Sequence, residues 1–295
     1  MLDLPWLAKL YEKHRDSAGV SVKEFPIQGH FFEFNRKPSI MGVVNLSADS
    51  WYRESVALSV DAAVNRAKVL HAQGATIVDV GAESSLAHAQ RVGVEDQNSS
   101  LLPVIAELRS AGIIVSVETY HASVAKAGLQ AGAGVVNLTG LTEANEVYRM
   151  AGEHQAAVIL CYVQGANVRE VGDFDFGTDP VAMMYDHFAR QIETATKLGV
   201  EKIFIDPGLG FYYRNLKDSS VRVRHQMQVF LNSFRLRKLG FPVCHALPHA
   251  FEYFGEEVRC AEPFFAVLAA LGRTDLFRTH EVARTKAVLD TLRAF

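Results

Sequence analysis

From Pro38 onward the chain alternates short apolar runs with longer stretches in which apolar residues recur at helical spacing. The runs are S-I-M-G-V-V-N (39–45), A-T-I-V-D-V-G (75–81), G-I-I-V-S-V-E-T (112–119), A-G-V-V-N-L (133–138), A-A-V-I-L-C-Y (156–162), K-I-F-I-D-P-G (202–208), F-P-V-C-H-A (241–246) and D-L-F-R-T-H (275–280). Continuous rather than alternating apolarity is what strands covered on both faces require. The stretches between them suit amphipathic helices: in Ser59 to Gln73, residues Val60, Ala63, Val64, Ala67 and Leu70 fall on one face, and Pro180 to Leu198 reads the same way. Eight such units in succession predict a (β/α)8 TIM barrel over 38–295, with a doubly wound open sheet as the alternative topology. Residues 1–37 fall outside the count and read as a short N-terminal extension, opening with an amphipathic helix and continuing with β-like sequence.

The carboxyl ends of barrel strands form the reactive mouth. The predicted strands end there in Asn45, Asp79, Glu118, Asn137, Tyr162, Asp206, His245, and Arg278 with His280. Any one of these could merely cap a helix or hold a turn. Together, acids and amides on an apolar floor suit a flat neutral heterocycle rich in N–H donors and ring acceptors, since each buried polar atom then finds a partner. N-L-S-A-D-S after the first strand and G-A-E-S-S after the second are small, hydroxyl-rich loops able to offer backbone N–H groups to an anion. In D-P-G-L-G-F (206–211), two glycines let the backbone pass close to a ligand while Phe211 offers an aromatic face.

Composition narrows the partner. With 49% hydrophobic and 21% charged residues and a formal net charge of −3, the chain is globular, and no stripe of Lys and Arg suggests nucleic acid or an anionic membrane. Three cysteines without C-x-x-C spacing argue against a disulfide framework and a zinc ribbon, and favour reduced cytoplasm. No apolar run reaches membrane-spanning length and none reads as an export signal, so an unexported cytoplasmic protein is expected. His245 and His249 have the spacing of a metal pair, but Pro248 interrupts the helix that spacing needs. A barrel metallohydrolase using His245, His249 and Asp206 is further disfavoured because the first strand ends in M-G-V-V-N rather than H-x-H.

In order from about Ser39 to Leu292, I-M-G-V-V-N-L-S-A-D-S, I-V-D-V-G-A-E-S-S, S-V-E-T-Y-H-A-S-V-A-K-A, V-V-N-L, Y-V-Q-G, I-D-P-G-L-G-F and F-R-T-H-E-V resemble the dihydropteroate synthase family. Those enzymes join 6-hydroxymethyl-dihydropterin diphosphate to 4-aminobenzoate in folate synthesis. The resemblance implies that Asp79, Glu118 (in place of an aspartate), Asn137 and Asp206 hold the pterin, with Gln164 and Phe211 lining it. It implies that Asn45 serves magnesium and the diphosphate, that Arg278 and His280 receive the leaving group, and that Ser84 and Ser85 belong to the second-substrate loop. A homodimer joined through barrel helices is implied in the same way.

The sequence also departs from the family. Leu86 stands where an arginine serves the diphosphate, Ala87 where a proline lies near the aminobenzoate, and Trp51 where the first loop carries another aromatic residue. After the seventh strand A-L-P-H-A replaces S-R-K-S, and no lysine occurs between Lys238 and Lys286. Two lost cations should cost about 2–4 kcal/mol of transition-state stabilisation each. Arg214, Arg222 and Arg224 are candidate replacements, and so is His249 if protonated, although a free imidazole with a pKa of about 6.5 is mostly neutral near pH 7. Three functions follow: a divergent synthase, a pterin-binding paralogue with another acceptor or no synthase activity, and a non-catalytic pterin-binding or regulatory protein.

Overall fold

The structure, a computed structural model, describes residues 2–47, 49, 55–57, 59–84, 86, 89–211 and 213–295. Its strands are β1 (Phe25–Ile27), β2 (His30–Phe32), β3 (Ser39–Asn45), β4 (Ile77–Gly81), β5 (Ile114–Thr119), β6 (Val135–Leu138), β7 (Ala157–Cys161), β8 (Lys202–Asp206), β9 (Cys244–Ala246) and β10 (Leu276–Thr279). The helices are α1 (Leu4–Lys13), α2 (Arg15–Ala18), α3 (Val60–Ala72), α4 (Val94–Ser110), α5 (Ala122–Gln130), α6 (Ala144–Glu153), α7 (Pro180–Lys197), α8 (Ser219–Asn232), α9 (Phe251–Phe254), α10 (Ala261–Leu271) and α11 (Val282–Arg293).

Strands β3 to β10 form one parallel sheet in the order β8-β7-β6-β5-β4-β3-β10-β9. The ends of that order meet through a parallel bridge between Ile205 and Val243, and Ile205 N–H donates to the Pro242 carbonyl at 3.0 Å. The sheet therefore closes into the (β/α)8 barrel, and the open-sheet alternative falls. All eight predicted strands form, each within the run that predicted it.

Side-chain alternation sorts each strand into an outward residue beneath a helix and an inward one. Met41, Ile77, Ile114, Val135, Ala157, Phe204, Cys244 and Leu276 point inward at the amino-terminal end, where they join Val22, Phe25, Ile27, Phe32 and Phe34 in one cluster. The β1–β2 hairpin and the chain after it thus plug the barrel bottom. Phe204 meets Phe25 at 5.3 Å and Phe34 at 5.4 Å between ring centroids, edge-on in both cases. With the bottom filled by phenyl rings, polar inward residues collect at the other end.

The helix expected over Ser59 to Gln73 forms as α3, with Ser59 Oγ accepting the Ala62 N–H as its cap. Ala63, Val64, Ala67 and Leu70 are its buried face, whereas Val60 is 37% exposed: the first helical residue lies beyond the edge of the sheet it was expected to cover.

Candidate functional site

Further up the strands from the plug, the inward positions toward the mouth include Asp79, Glu118, Asn137, Cys161, Asp206, Ala246 and Arg278. Glu118, Asn137, Asp206, Phe211 and Arg278 wall one cavity of about 20 Å³, and Asp79 bonds to two of them from below. Asp79, Glu118 and Asn137 do not end their strands, since β4, β5 and β6 run on to Gly81, Thr119 and Leu138. They are the last inward side chains with long polar groups, and that is what brings them together.

The site is a carboxylate cluster built round one guanidinium. Arg278 Nε donates to Asp79 Oδ2 at 2.7 Å, and Nη2 donates to Glu118 Oε2. Asn137 Nδ2 donates to the same Asp79 oxygen at 3.0 Å, and Cys161 Sγ donates to Asn137 Oδ1 at 3.4 Å. Asp79 Oδ1 is buried with no hydrogen-bond partner among the described residues, so a ligand N–H would relieve its desolvation cost. Asp206 accepts the Gly208 N–H at 2.8 Å. Burial raises the Asp206 carboxyl to about 6, although backbone donors from Gly208 and Ala246 and the charge of Arg278 oppose the rise. Burial likewise raises Glu118 to about 7, against the pull of Arg278 and with the help of the Asp79 and Asp206 charges. Three acids around one cation leave a net negative charge, so the cluster retains a proton near neutrality. The same acids raise Arg278, which stays charged at every accessible pH.

The loop carrying Phe211 depends on one glycine. Gly208 sits at φ +73°, and a Cβ there would lie 2.3 Å from the Tyr162 carbonyl oxygen. Only glycine lets the backbone turn so tightly behind Asp206.

Several other expected residues lie elsewhere or play other parts. His245 is fully buried but points outward from β9, its Nε2 2.6 Å from Ser233 Oγ and its ring against Phe230. It belongs to the layer between barrel and helices, and burial lowers its pKa to about 3. Tyr162 also leaves the mouth and packs among Phe174, His187 and Phe188. Gln164 does not line the cavity: its amide donates to Tyr162 Oη and the Asp175 carbonyl, both at 2.9 Å, and accepts the Asp175 N–H at 2.6 Å. His249 packs on Phe251 with ring centroids 4.1 Å apart, and burial with the Arg222 charge lowers its pKa to about 4. A neutral imidazole cannot stand in for a lysine, so that expectation is corrected. Arg222 is committed to Glu252 at 2.8 and 2.9 Å, Arg224 lines a groove beside Trp6, and Arg214 is exposed; none of them lines the cavity.

At the rim, Asn45 Nδ2 donates to Ser55 Oγ at 2.6 Å. Ser84 is buried and its Oγ accepts the Leu86 N–H at 3.3 Å. Ser85, Trp51 and Ala87 lie outside the described residues. His280 is held by a carboxylate that sequence reasoning missed: buried Glu262 of α10 accepts from His280 Nδ1 at 2.6 Å, from the His280 N–H at 2.9 Å and from Thr279 Oγ1. Also missed was Arg169, which reaches across the mouth to the loop after β4, and the chain Arg91–Tyr120–Glu83 beside it, with contacts of 2.7 and 2.6 Å. Among the described residues no three His, Cys, Asp or Glu side chains are grouped to hold a metal ion, which leaves the His245–His249 metal pair without support.

The sequence profile of a family described as pterin binding enzyme matches residues 41–246. A dihydropteroate synthase of Synechocystis is 29% identical over 269 residues, covering 87% of this chain and 90% of the relative. One from Bacillus subtilis is 30% identical over 217 residues, covering 71% of this chain and 70% of its own length. Among solved structures, Xanthomonas albilineans dihydropteroate synthase with 4-aminobenzoic acid superposes with a TM-score of 0.75 at 26% identity, covering 93% of this chain and 98% of that one. The same enzyme in complex with 7,8-dihydropteroate gives 0.70 at 26% identity, covering 92% and 97%.

Proposed function

This chain belongs to the pterin binding enzyme family, and from that premise we propose that it is a dihydropteroate synthase of folate biosynthesis, holding a dihydropterin on the mouth acids and transferring it to 4-aminobenzoate. The observation that carries the reading is the convergence of Glu118, Asn137 and Asp206 on one small cavity, with Asp79 bonded to Asn137 beneath them and keeping a carboxylate oxygen that has no partner among the described residues. A pterin presents N–H donors along one edge and ring acceptors along another, so carboxylates with one amide suit it.

In the transfer the bond between the pterin methylene and the diphosphate oxygen breaks. The electron pair leaves with the diphosphate, and the electron-rich ring shares the positive charge left on the methylene. The aminobenzoate nitrogen then forms the new bond, and the proton it loses passes to the departing diphosphate. Arg278 and His280 face the developing anion on this reading, with Glu262 fixing the imidazole so that Nδ1 is the bonded nitrogen. Ser84, and Ser85 beside it, belong to the acceptor side. Arg278 has a second task, because its guanidinium now fills the acceptors that a pterin edge would take.

Magnesium, if used, would neutralise the diphosphate. Asn45 would be the chain's own oxygen ligand, its nitrogen being turned to Ser55, and the substrate's oxygens would supply most of the remainder. A homodimer and a cytoplasmic location complete the proposal; among the described residues no helix is long and apolar enough to cross a membrane.

A second reading, a pterin-binding paralogue without synthase turnover or with another acceptor, is favoured by Leu86 and by the neutral His249 where the family carries cations. Calorimetric titration with a pterin, followed by assay of dihydropteroate from the pterin diphosphate, 4-aminobenzoate and magnesium, separates the two. Pterin binding with turnover supports the first; binding without turnover supports the second. Asp206→Asn should weaken the pterin by about 1–3 kcal/mol, and unchanged affinity would remove Asp206 from its role.

A further inference from the structure

Glu262, in the first turn of α10, is 2% exposed and gathers donors from the top of β10. Its Oε2 accepts the main-chain N–H groups of His280 at 2.9 Å and Glu281 at 3.2 Å, together with Thr279 Oγ1, and its Oε1 faces His280 Nδ1 at 2.6 Å. An oxygen that receives main-chain N–H groups in this way offers no place for a proton, so the ionised carboxyl is the form these donors satisfy. Among the described residues no lysine or arginine lies within ion-pair distance of Glu262, and His280 is the charge partner the fold supplies. A buried carboxylate left without a cation is strongly destabilising. An imidazolium at Nδ1 removes that cost.

The alternation of β10 turns Arg278 to the mouth and Thr279 outward, where its hydroxyl meets Thr285 Oγ1 of α11 at 3.0 Å, and His280 follows at the strand's end. The other charged groups around the ring act elsewhere. Arg278 is bonded to Asp79 and Glu118, and Glu281 is paired with Arg259 and, at 3.3 Å, with Arg284. Burial holds His249 neutral. Arg66 donates to the His280 carbonyl at 3.4 Å, on the main-chain side, and its charge opposes a second cation there. The carboxylate in contact with the ring outweighs that more distant guanidinium.

We propose that Glu262 is a positioning residue that holds His280 as an imidazolium, with Nδ1–H on the carboxylate and Nε2–H turned to the diphosphate, so that the ring meets the leaving group with a charge and not only a hydrogen bond. This rests on the synthase reading for the identity of the anion. An imidazole between a carboxylate and a diphosphate keeps both its protons, because each anion favours the charged ring. The ring transfers no proton: its charge stays in place while the methylene–oxygen bond breaks, and the diphosphate departs against an N–H donor.

Glu262→Gln in the full chain tests this, because the amide keeps the shape and reverses one bond. Its oxygen must take the main-chain N–H groups of His280 and Glu281, which turns the NH2 toward Nδ1, makes Nδ1 the acceptor and leaves a neutral ring with its proton on Nε2. Inorganic pyrophosphate, titrated by calorimetry, should bind Glu262→Gln at least about tenfold more weakly than the parent at pH 8, and within about threefold of it at pH 5.5, where acid charges the ring in both proteins. The titration of pyrophosphate itself cancels in that ratio. Affinity for a pterin lacking the diphosphate should stay within about twofold. A loss of the same size at both pH values, or one shared by the pterin, is the mark of a residue that only holds the strand end and would overturn the assignment, as would equal pyrophosphate affinity at pH 8. If Glu262→Gln does not fold, 15N NMR of the His280 ring in the parent decides: with pyrophosphate bound at pH 8, a ring protonated on both nitrogens supports the proposal and a neutral ring overturns it. Turnover of the pterin diphosphate with a neutral His280 removes this inference and leaves the synthase reading; a pH-dependent loss in Glu262→Gln, in a protein whose parent binds no pterin, does the reverse.

Discussion

Glu118 and Asp206 make the site a proton-linked one. Both carboxyls are raised by burial, to about 7 and about 6, so the folded protein holds protons that the unfolded chain would have released. For an acid raised in this way, the stability contribution is fully present below the ordinary carboxyl range and is lost as pH climbs through the folded values. Binding has the opposite sense. A heterocycle that donates N–H bonds to these oxygens favours their ionised forms and pulls the values down, so protons leave when it binds. Pterin affinity should therefore rise with pH between about 6 and 7 and flatten above. Titration at pH 6.5 in buffers of different ionisation enthalpy should report release of on the order of one proton per bound pterin, summed over the two acids; no release, or uptake, would show that the heterocycle meets the protonated acids instead. The acids themselves were legible in the sequence, because an isolated Asp, Glu or Asn at the top of an apolar barrel strand has little reason to be there but the mouth. Arg169 was not: its partners are backbone carbonyls some 80 residues away, and neither periodicity nor a motif marks a loop arginine that bonds to main chain.

At the scale of elements, β9 shows what a short strand hides. It has only three residues, the first two buried and the third nearly so, so the run around Cys244 predicts a strand without saying which face each residue takes. Register against β10, with Cys244 beside Leu276 and Ala246 beside Arg278, turns His245 outward. The same packing logic ties the N-terminal segment to the barrel. Arg237, 1% exposed, pairs with Asp275 and donates to the Val20 carbonyl at 3.2 Å and to Asn35 Oδ1 at 3.1 Å. Asn35 in turn bridges both polar groups of Val22, at 2.9 and 2.8 Å, and Asp275 accepts the Val243 N–H at 2.8 Å. One buried guanidinium thus joins the segment before β1, the turn after β2 and the start of two barrel strands. Arg237→Met leaves the buried Asp275 charge uncompensated and should lower stability by about 3–5 kcal/mol, read as a shift of the urea midpoint at pH 7. A smaller loss is expected near pH 5, because Asp275, already raised by burial to about 6, then takes up a proton; a loss independent of pH would mean that the pair contributes shape rather than charge. The sequence marks residues 1–37 as an extension, and within it residues 20–35 supply the aromatic plug and this hub at the barrel bottom.

The whole molecule divides its labour between its two ends and its flank. The aromatic plug closes the bottom, the charged cluster lines the mouth, and one side of the helical ring remains apolar. There Leu2 and Trp6 before and on α1, Val223, Met227 and Leu231 of α8, and Tyr253, Phe254 and Phe264 line a groove of about 660 Å³. Tyr253 is 61% exposed and Phe264 41%. Exposed aromatics gathered on one face, rather than scattered, mark a surface that associates. Ala250, next to His249 in the loop after β9, lines this groove, so the homodimer proposed for this chain would, if built here, bury the back of that loop. Phe264→Glu places a charge at the centre of that face and should shift the protein from dimer to monomer in sedimentation velocity at micromolar concentration, while pterin affinity, set by acids on the barrel floor, stays within about twofold. A parent protein that sediments as a monomer would place the association, and with it the use of this groove, outside what the chain does.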